Sequence, residues 1–156
     1  MARNYLEIIP VQNHFCKLGC PNEGNFRTIN GGCYLITEEF TNNYNAKSLC
    51  KNRIANGKTG HLVEPQTTTM NKLIFDEAQN IFGFNYWYWI GVNDIDNEGN
   101  WVYTSTGLPA TTTDFMHPAQ PTANGDCVFV CYRDFPNKGK WCDESCNANW
   151  YVICEF

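Results

Sequence analysis

Nine cysteines in 156 residues are the side chains of this chain with the widest chemical range: metal ligation, nucleophilic catalysis or cross-linking. Cys-x3-Cys occurs at Cys16/Cys20, Cys127/Cys131 and Cys142/Cys146. Zinc is the competing reading, but zinc knuckles ordinarily use the tighter Cys-x2-Cys spacing. So many cysteines in a short chain point instead to an oxidising compartment and a disulfide framework. Catalysis has little else to draw on. The three histidines, His14, His61 and His117, are scattered, and no nucleophile motif or paired-carboxylate signature stands out, so no enzyme is expected. The net charge is −5, with only 11 Lys and Arg and no basic cluster evident, which argues against a nucleic-acid partner. No apolar run of about 20 residues is present, so no membrane span is expected.

The elements that must position these side chains follow from periodicity. The length suits one domain able to bury about two-thirds of its unfolded surface. Residues 1–19 form an extension without strong periodicity that carries Cys16. Its first fifteen residues lack the apolar core of a signal peptide, so a secreted form is expected to be numbered after signal removal or behind an expression Met. Tyr34 to Phe40 reads as a strand. Asn43 to Asn56 reads as a helix, with Ala46, Leu49, Cys50 and Ile54 at helical spacing and Gly57 as its stop. Gly60 to Val63 is a short strand. Thr67 to Phe82 is a second helix, with Leu73, Ile74, Glu77, Ala78 and Ile81 on its inner face and Gly83 ending it. Ser105 to Asp126 has little periodicity, and such a length without structure is unusual unless functional. Val128 to Tyr132, Lys140 to Asp143 and Trp150 to Glu155 are the last strands.

Three motifs occur in order: Trp89-Ile90-Gly91-Val92-Asn93-Asp94, then Glu98-Gly99-Asn100-Trp101, then Trp150-Tyr151-Val152-Ile153-Cys154. Together they resemble the C-type lectin-like domain over roughly Cys20 to Phe156. The resemblance implies an α+β fold of two helices and two small antiparallel sheets with a long functional loop, stapled by disulfides. It also places Trp89 in the core. Alternation sends Trp87 to the same side and leaves Tyr86 and Tyr88 open between core and surface. Trp101, Trp141 and Trp150 read as core rather than ligand-binding.

The resemblance further implies the pairs Cys20–Cys33, Cys50–Cys154 and Cys127–Cys146. Opposed residues in an antiparallel ladder share an index sum, and 127 with 146 gives the same sum, 273, as 131 with 142. One hairpin register therefore predicts a fourth bridge, Cys131–Cys142. Cys16 is left over and reads as the intermolecular bond of a homodimer, the alternative being a scramble in which Cys16 takes Cys33. With the thiols paired, none is left as an activated nucleophile.

The family's sugar site maps onto Gln120-Pro121-Thr122 and Trp141-Cys142-Asp143, where a cis proline aims its flanking side chains at a calcium ion. That ion needs six to eight hard oxygens. Gln120 and Asp143 match the pattern. Thr122 stands where a carboxylate or carboxamide is usual, Gly125 where a Glu is usual, and Cys142 where an Asn is usual; sulfur is too soft for this ion. Strong calcium binding at the sugar site is therefore not expected. An auxiliary calcium position of the family maps onto Asp94, Glu98 and Asp126. Against it, Glu98 also serves the turn structurally and Asp94 can cap it.

The resulting expectation is a secreted, dimeric lectin, calcium-independent or weakly calcium-dependent, preferring galactose-type or N-acetylated hexoses (GalNAc or GlcNAc). Its hydrogen-bonding groups would be Gln120, Thr122, Asn124, Asp126 and Asp143, with Phe115, His117, Tyr132 and Phe135 supplying ring contacts. Weak single sites would gain avidity from a Cys16 dimer. The resemblance commonly implies innate defence through microbial glycans. The alternatives are a conventional calcium-dependent galactose-type lectin and a non-sugar module for protein, ice or mineral surfaces. No Asn-x-Ser/Thr acceptor is present, so N-glycosylation is not expected.

Overall fold

The computed structural model describes residues 19–83, 85–111, 114–122, 125–131 and 137–156. A first hairpin joins β1 (Phe26–Ile29) to β2 (Gly32–Thr41). The helix α1 (Asn43–Lys51) follows, its N-terminus capped by the Asn42 side chain, which accepts from the Asn45 N–H at 2.9 Å.

This helix ends five residues before its expected last residue, Asn56. Asn56 and Gly57 both have positive φ, 51° and 70°. Those are the angles of a type I′ turn, which favours Asn-Gly and splits the segment into β3 (Ile54–Ala55) and β4 (Lys58–Thr59). Ile54, expected on the helix's buried face, is 75% exposed.

After β5 (His61–Leu62), α2 (Thr68–Phe82) is capped by Thr67, whose hydroxyl oxygen accepts from Met70 N–H, and it ends at Gly83, φ 87°. Its buried face is Asn71, Ile74, Phe75, Ala78 and Gln79. The expected face was turned by about one residue, because it counted Leu73 and Glu77 as inward. Leu73 is 40% exposed and Glu77 is ion-paired to Arg27 at 2.9 Å.

The remaining strands are β6 (Trp89–Asn93), β7 (Val102–Tyr103), β8 (Cys127–Val130), β9 (Trp141–Glu144) and β10 (Trp150–Glu155). They complete two four-stranded antiparallel sheets, β1-β2-β10-β5 and β7-β6-β8-β9. The architecture is the expected α+β one. Apolar residues pack on both sides of β6, as its continuous apolar run requires. Tyr86, Tyr88, Ile90 and Val92 join the core with α2. Trp87 and Trp89 face the other way, with Phe129, Trp150 and the disulfides. Tyr86 and Tyr88 are both fully buried, so the open question about them resolves to core. Trp101 and Trp141 are buried, and Trp150 is half-buried, stacked on Phe129 with ring centroids 4.6 Å apart.

Four disulfides close: Cys20–Cys33, Cys50–Cys154, Cys127–Cys146 and Cys131–Cys142. The register behind the fourth differs from expectation. β8 and β9 pair Cys127 with Glu144 and Phe129 with Cys142, an index sum of 271 rather than 273. A slip of two residues keeps every side chain on its face. Both cysteine pairs therefore still meet, diagonally, with Cα atoms 5.1 and 5.7 Å apart. Cys16 lies outside the described residues.

Candidate functional site

The long segment between β7 and β8 is tied to the body at its returning limb. Trp141 N–H donates to Phe115 C=O and His117 N–H donates to Trp141 C=O, both at 2.9 Å, so the limb runs beside β9. The Lys140 ammonium adds a bond to Asp114 C=O at 2.6 Å. Behind β9, the buried Asn71 amide donates to Gly139 C=O at 2.8 Å and accepts from the Trp141 indole at 2.9 Å. A buried amide with both ends met holds its partners in one arrangement. Neither Asn71 nor Lys140 stood out in the sequence, where polar residues on a helix or a strand end read as solvent-facing.

The limb leads into a cis Gln120–Pro121 peptide. Thr122 then clamps onto Asp143 twice. Its N–H donates to Oδ1 at 2.8 Å and its hydroxyl donates to Oδ2 at 2.7 Å. Asp143 is buried, 5% exposed. Gly125 closes the space on the far side: a Cβ there would sit 2.3 Å from Asp143 Oδ2 and 2.6 Å from Glu144 N. The family's Glu at this position has no room. Cys142 is held in its disulfide and offers no ligand atom. The residues present therefore do not fit a calcium ion at the sugar position, and the Asp143 oxygens that would serve one are taken by Thr122. That clamp was missed in the sequence, where the signal was a hydroxyl donor standing in for a metal-ligating side chain.

The structure brings Gln120, Thr122 and Asp143 into this one neighbourhood. Gln120 Oε1 is buried and has no hydrogen-bond partner among the described residues. Asp126 is exposed and tied to the adjoining turn, its C=O accepting from Asp94 N–H at 3.1 Å. His117 is half-buried, with its Nδ1 accepting from Ala119 N–H at 3.1 Å. Phe115 is a correction. Only 3% exposed and stacked on Trp141 at 4.3 Å, it is core and offers no face to a ligand. Stacking there buries more apolar area than a loop position could keep wet. Asn124, Tyr132 and Phe135 lie outside the described residues.

A second group forms on the turn after β6. Carboxylate oxygens of Asp94, Glu98 and Asp126 lie within 4.8 Å of one another. Asp94 is 2% exposed. Its Oδ2 accepts from Gly99 N–H at 2.7 Å, while its Oδ1 is buried with no hydrogen-bond partner among the described residues. Burial pushes the Asp94 carboxyl above the usual carboxylate range, and repulsion from Asp126 adds to that against the Gly99 bond. None of the three has an ion-pair partner among the described residues. Clustered anionic oxygens with one left unmet fit a hard divalent cation such as calcium.

Comparison with known proteins agrees with the fold. Residues 19–156 match the family model for the lectin C-type domain. Collectin-10 of Mus musculus is 32% identical over 125 residues, which is 79% of this chain and 40% of that protein. Collectin-11 of Danio rerio is 29% identical over 126 residues, 79% of this chain and 42% of that one. The chain thus spans about two-fifths of the length of these relatives. Among solved structures, the C-type lectin CEL-I from Cucumaria echinata superposes with a TM-score of 0.74 at 22% identity, covering 87% of this chain and 96% of that one.

Proposed function

Because this chain belongs to the C-type lectin domain family, whose members are carbohydrate-binding modules rather than enzymes, we propose that it binds glycans without a sugar-ligating calcium ion. The observation that carries this reading is the Thr122–Asp143 clamp. It holds the Gln120–Pro121–Thr122 turn while removing the oxygens a metal would need. Thr122 Oγ1 has given its hydrogen to Asp143 and is left as an acceptor for a sugar hydroxyl. Gln120 and Asp126 supply further polar groups, Asn124 and His117 extend the set, and Tyr132 and Phe135 are the ring contacts. Asp143 acts here as a positioning residue. The retained Gln120–Pro121 pair supports galactose-type or N-acetylated hexoses, through the family's Gln-Pro-Asp pattern.

Asp94, Glu98 and Asp126 would hold a calcium ion, which supplies charge neutralisation to that turn when bound. Asp126 joins this triad to the neighbourhood of Thr122, so calcium would affect sugar affinity weakly, by ordering the turn. A secreted protein dimerised through Cys16, with a role in innate defence, completes the proposal. Four intrachain bonds leave Cys16 over for that role.

The test is a glycan array of the oxidised protein in calcium and in chelator. Binding to galactose-type or N-acetylhexosamine glycans that survives the chelator is expected. Binding abolished by the chelator overturns direct contact. A blank array in both conditions overturns the glycan reading and leaves a non-sugar binding module.

A further inference from the structure

Between Glu39 and Glu64 the sequence contains no acid, yet it carries Lys47, Lys51, Arg53 and Lys58, four of the chain's 11 Lys and Arg, together with His61. The expectation that no basic cluster exists is corrected by the fold. Lys47 and Lys51 are one helical turn apart on α1 and so share a face. Against that face lie His61 of β5 and Thr104 and Ser105 after β7, and these side chains line a cavity of about 340 Å³. Among the described residues, no Asp or Glu lines it. Among the described residues neither lysine has an ion-pair partner. The Lys47 ammonium instead sits 5.3 Å from the centre of the Tyr44 ring, and burial lowers its pKa. An unpaired, partly desolvated ammonium gains more from an arriving anion than one in bulk water does.

The hydroxyls of the cavity select the rest of the ligand. Thr104 Oγ1 donates to Glu64 Oε1 at 3.1 Å and Ser105 Oγ donates to Glu64 Oε2 at 2.5 Å. With their hydrogens committed to a buried carboxylate, both oxygens are left as acceptors, which suits a ligand rich in O–H donors. His61 and Ser105 also line a second, adjoining cavity of about 430 Å³, lined in part by Gln66, Thr106 and Leu108, with Glu64 and Glu155 among its walls. Those acids repel an anion, so the polarity of the groove orients the ligand. Its anionic group goes to the lysines, and its neutral, hydroxyl-bearing part goes toward Gln66 and Thr106.

We propose that this groove is a second binding site, for an acidic saccharide whose sulfate or carboxylate sits between Lys47, Lys51 and His61. None of these residues belongs to the Gln120–Asp143 neighbourhood, so the two sites stand or fall separately.

The experiment is a titration of the ¹⁵N-labelled full chain, followed by NMR, with three probes: a sulfated, uronate-containing tetrasaccharide, its desulfated and carboxyl-reduced counterpart, and inorganic sulfate. Amide shifts around 47–61 and 104–105 are expected with the acidic tetrasaccharide only, weakening as salt rises. The double variant Lys47→Gln, Lys51→Gln should lose affinity at least tenfold and keep binding of neutral hexoses. Asp143→Ala should do the reverse. Equal affinity in the double variant, shifts elsewhere, or no binding at millimolar concentration would each overturn the proposal. Inorganic sulfate binding as tightly as the tetrasaccharide would overturn its saccharide part.

Discussion

Asp94, just after β6, and Asp143, on β9, are two buried aspartates at one sheet, with β8 between their strands, and their oxygens meet different fates. Asp143 has both oxygens satisfied by Thr122. Asp94 keeps one oxygen buried and without a hydrogen-bond partner among the described residues, beside two further acids. A polar group taken from water must recover its hydrogen bonds from something. In one region the protein itself provides them, so the loop is closed by protein alone. In the other one oxygen is left without a partner among the described residues, and under the proposed function a cation would complete that turn. The difference teaches that two buried carboxylates of one fold can have their hydrogen-bonding needs met by opposite means.

The largest effect should come from Asp143→Ala. It removes two hydrogen bonds to a charged acceptor, each worth about 1.5–3 kcal/mol, and leaves the Thr122 N–H without its partner. Urea unfolding should show a loss of about 3 kcal/mol, with neutral-glycan binding abolished. A loss below about 1 kcal/mol would break the contrast, since Asp143 would then be no better satisfied than Asp94.

Calcium titration comes next. At a hundred times its Kd an ion stabilises by about 2.7 kcal/mol, which for a chain of this size raises Tm by roughly 5–10 °C. Asp94→Asn should remove that response, and Thr122→Val should leave it intact. A calcium response that vanishes in Thr122→Val instead would place the ion at the Asp143 side.

Gly125→Ala sharpens the comparison from the Asp143 side. The added Cβ meets Asp143 Oδ2 and the Glu144 amide, an overpacking cost of about 1–3 kcal/mol. Glycan affinity should fall while the calcium response persists, read by calorimetry on the same sample.

The smallest effect is on pH dependence. The Asp94 carboxyl has a folded pKa above its unfolded one, so the unfolded chain releases this proton first. In chelator, its contribution to stability is fully present below the ordinary aspartate value of 3.8 and is lost as pH rises through the higher folded value. Calcium favours the ionised form and should flatten or reverse that slope. Unfolding curves of the wild type and Asp94→Asn between pH 3 and 7, with and without calcium, would show whether Asp94 is the source.

Much of the frame was legible beforehand. The motif around Trp89 and the closing strand at Trp150 are carried by local residue types and spacing, and three of the four disulfides followed from the family resemblance those motifs carry. Local chemistry misled where two local rules competed. Asn56-Gly57 was read as a helix stop, but its positive φ angles made a hairpin. The inner face of α2 was misjudged because the polar Asn71 and Gln79 turn inward while Leu73 turns out. The β8–β9 register slipped by two without cost to the cysteines, since period-two alternation fixes the face and not the partner.

By itself, the sequence determined the family and the lack of hard-oxygen side chains at positions 125 and 142, because each depends on which atoms a residue carries. Only the tertiary structure decided that Thr122 caps Asp143, that Asp94 keeps an unmet oxygen, that Phe115 is core, and that Lys47, Lys51 and His61 share one cavity with Ser105. Those outcomes depend on distances between segments far apart in the chain. Such distances are set by how the sheets, α2 and the returning limb pack together, which no local pattern of residues records.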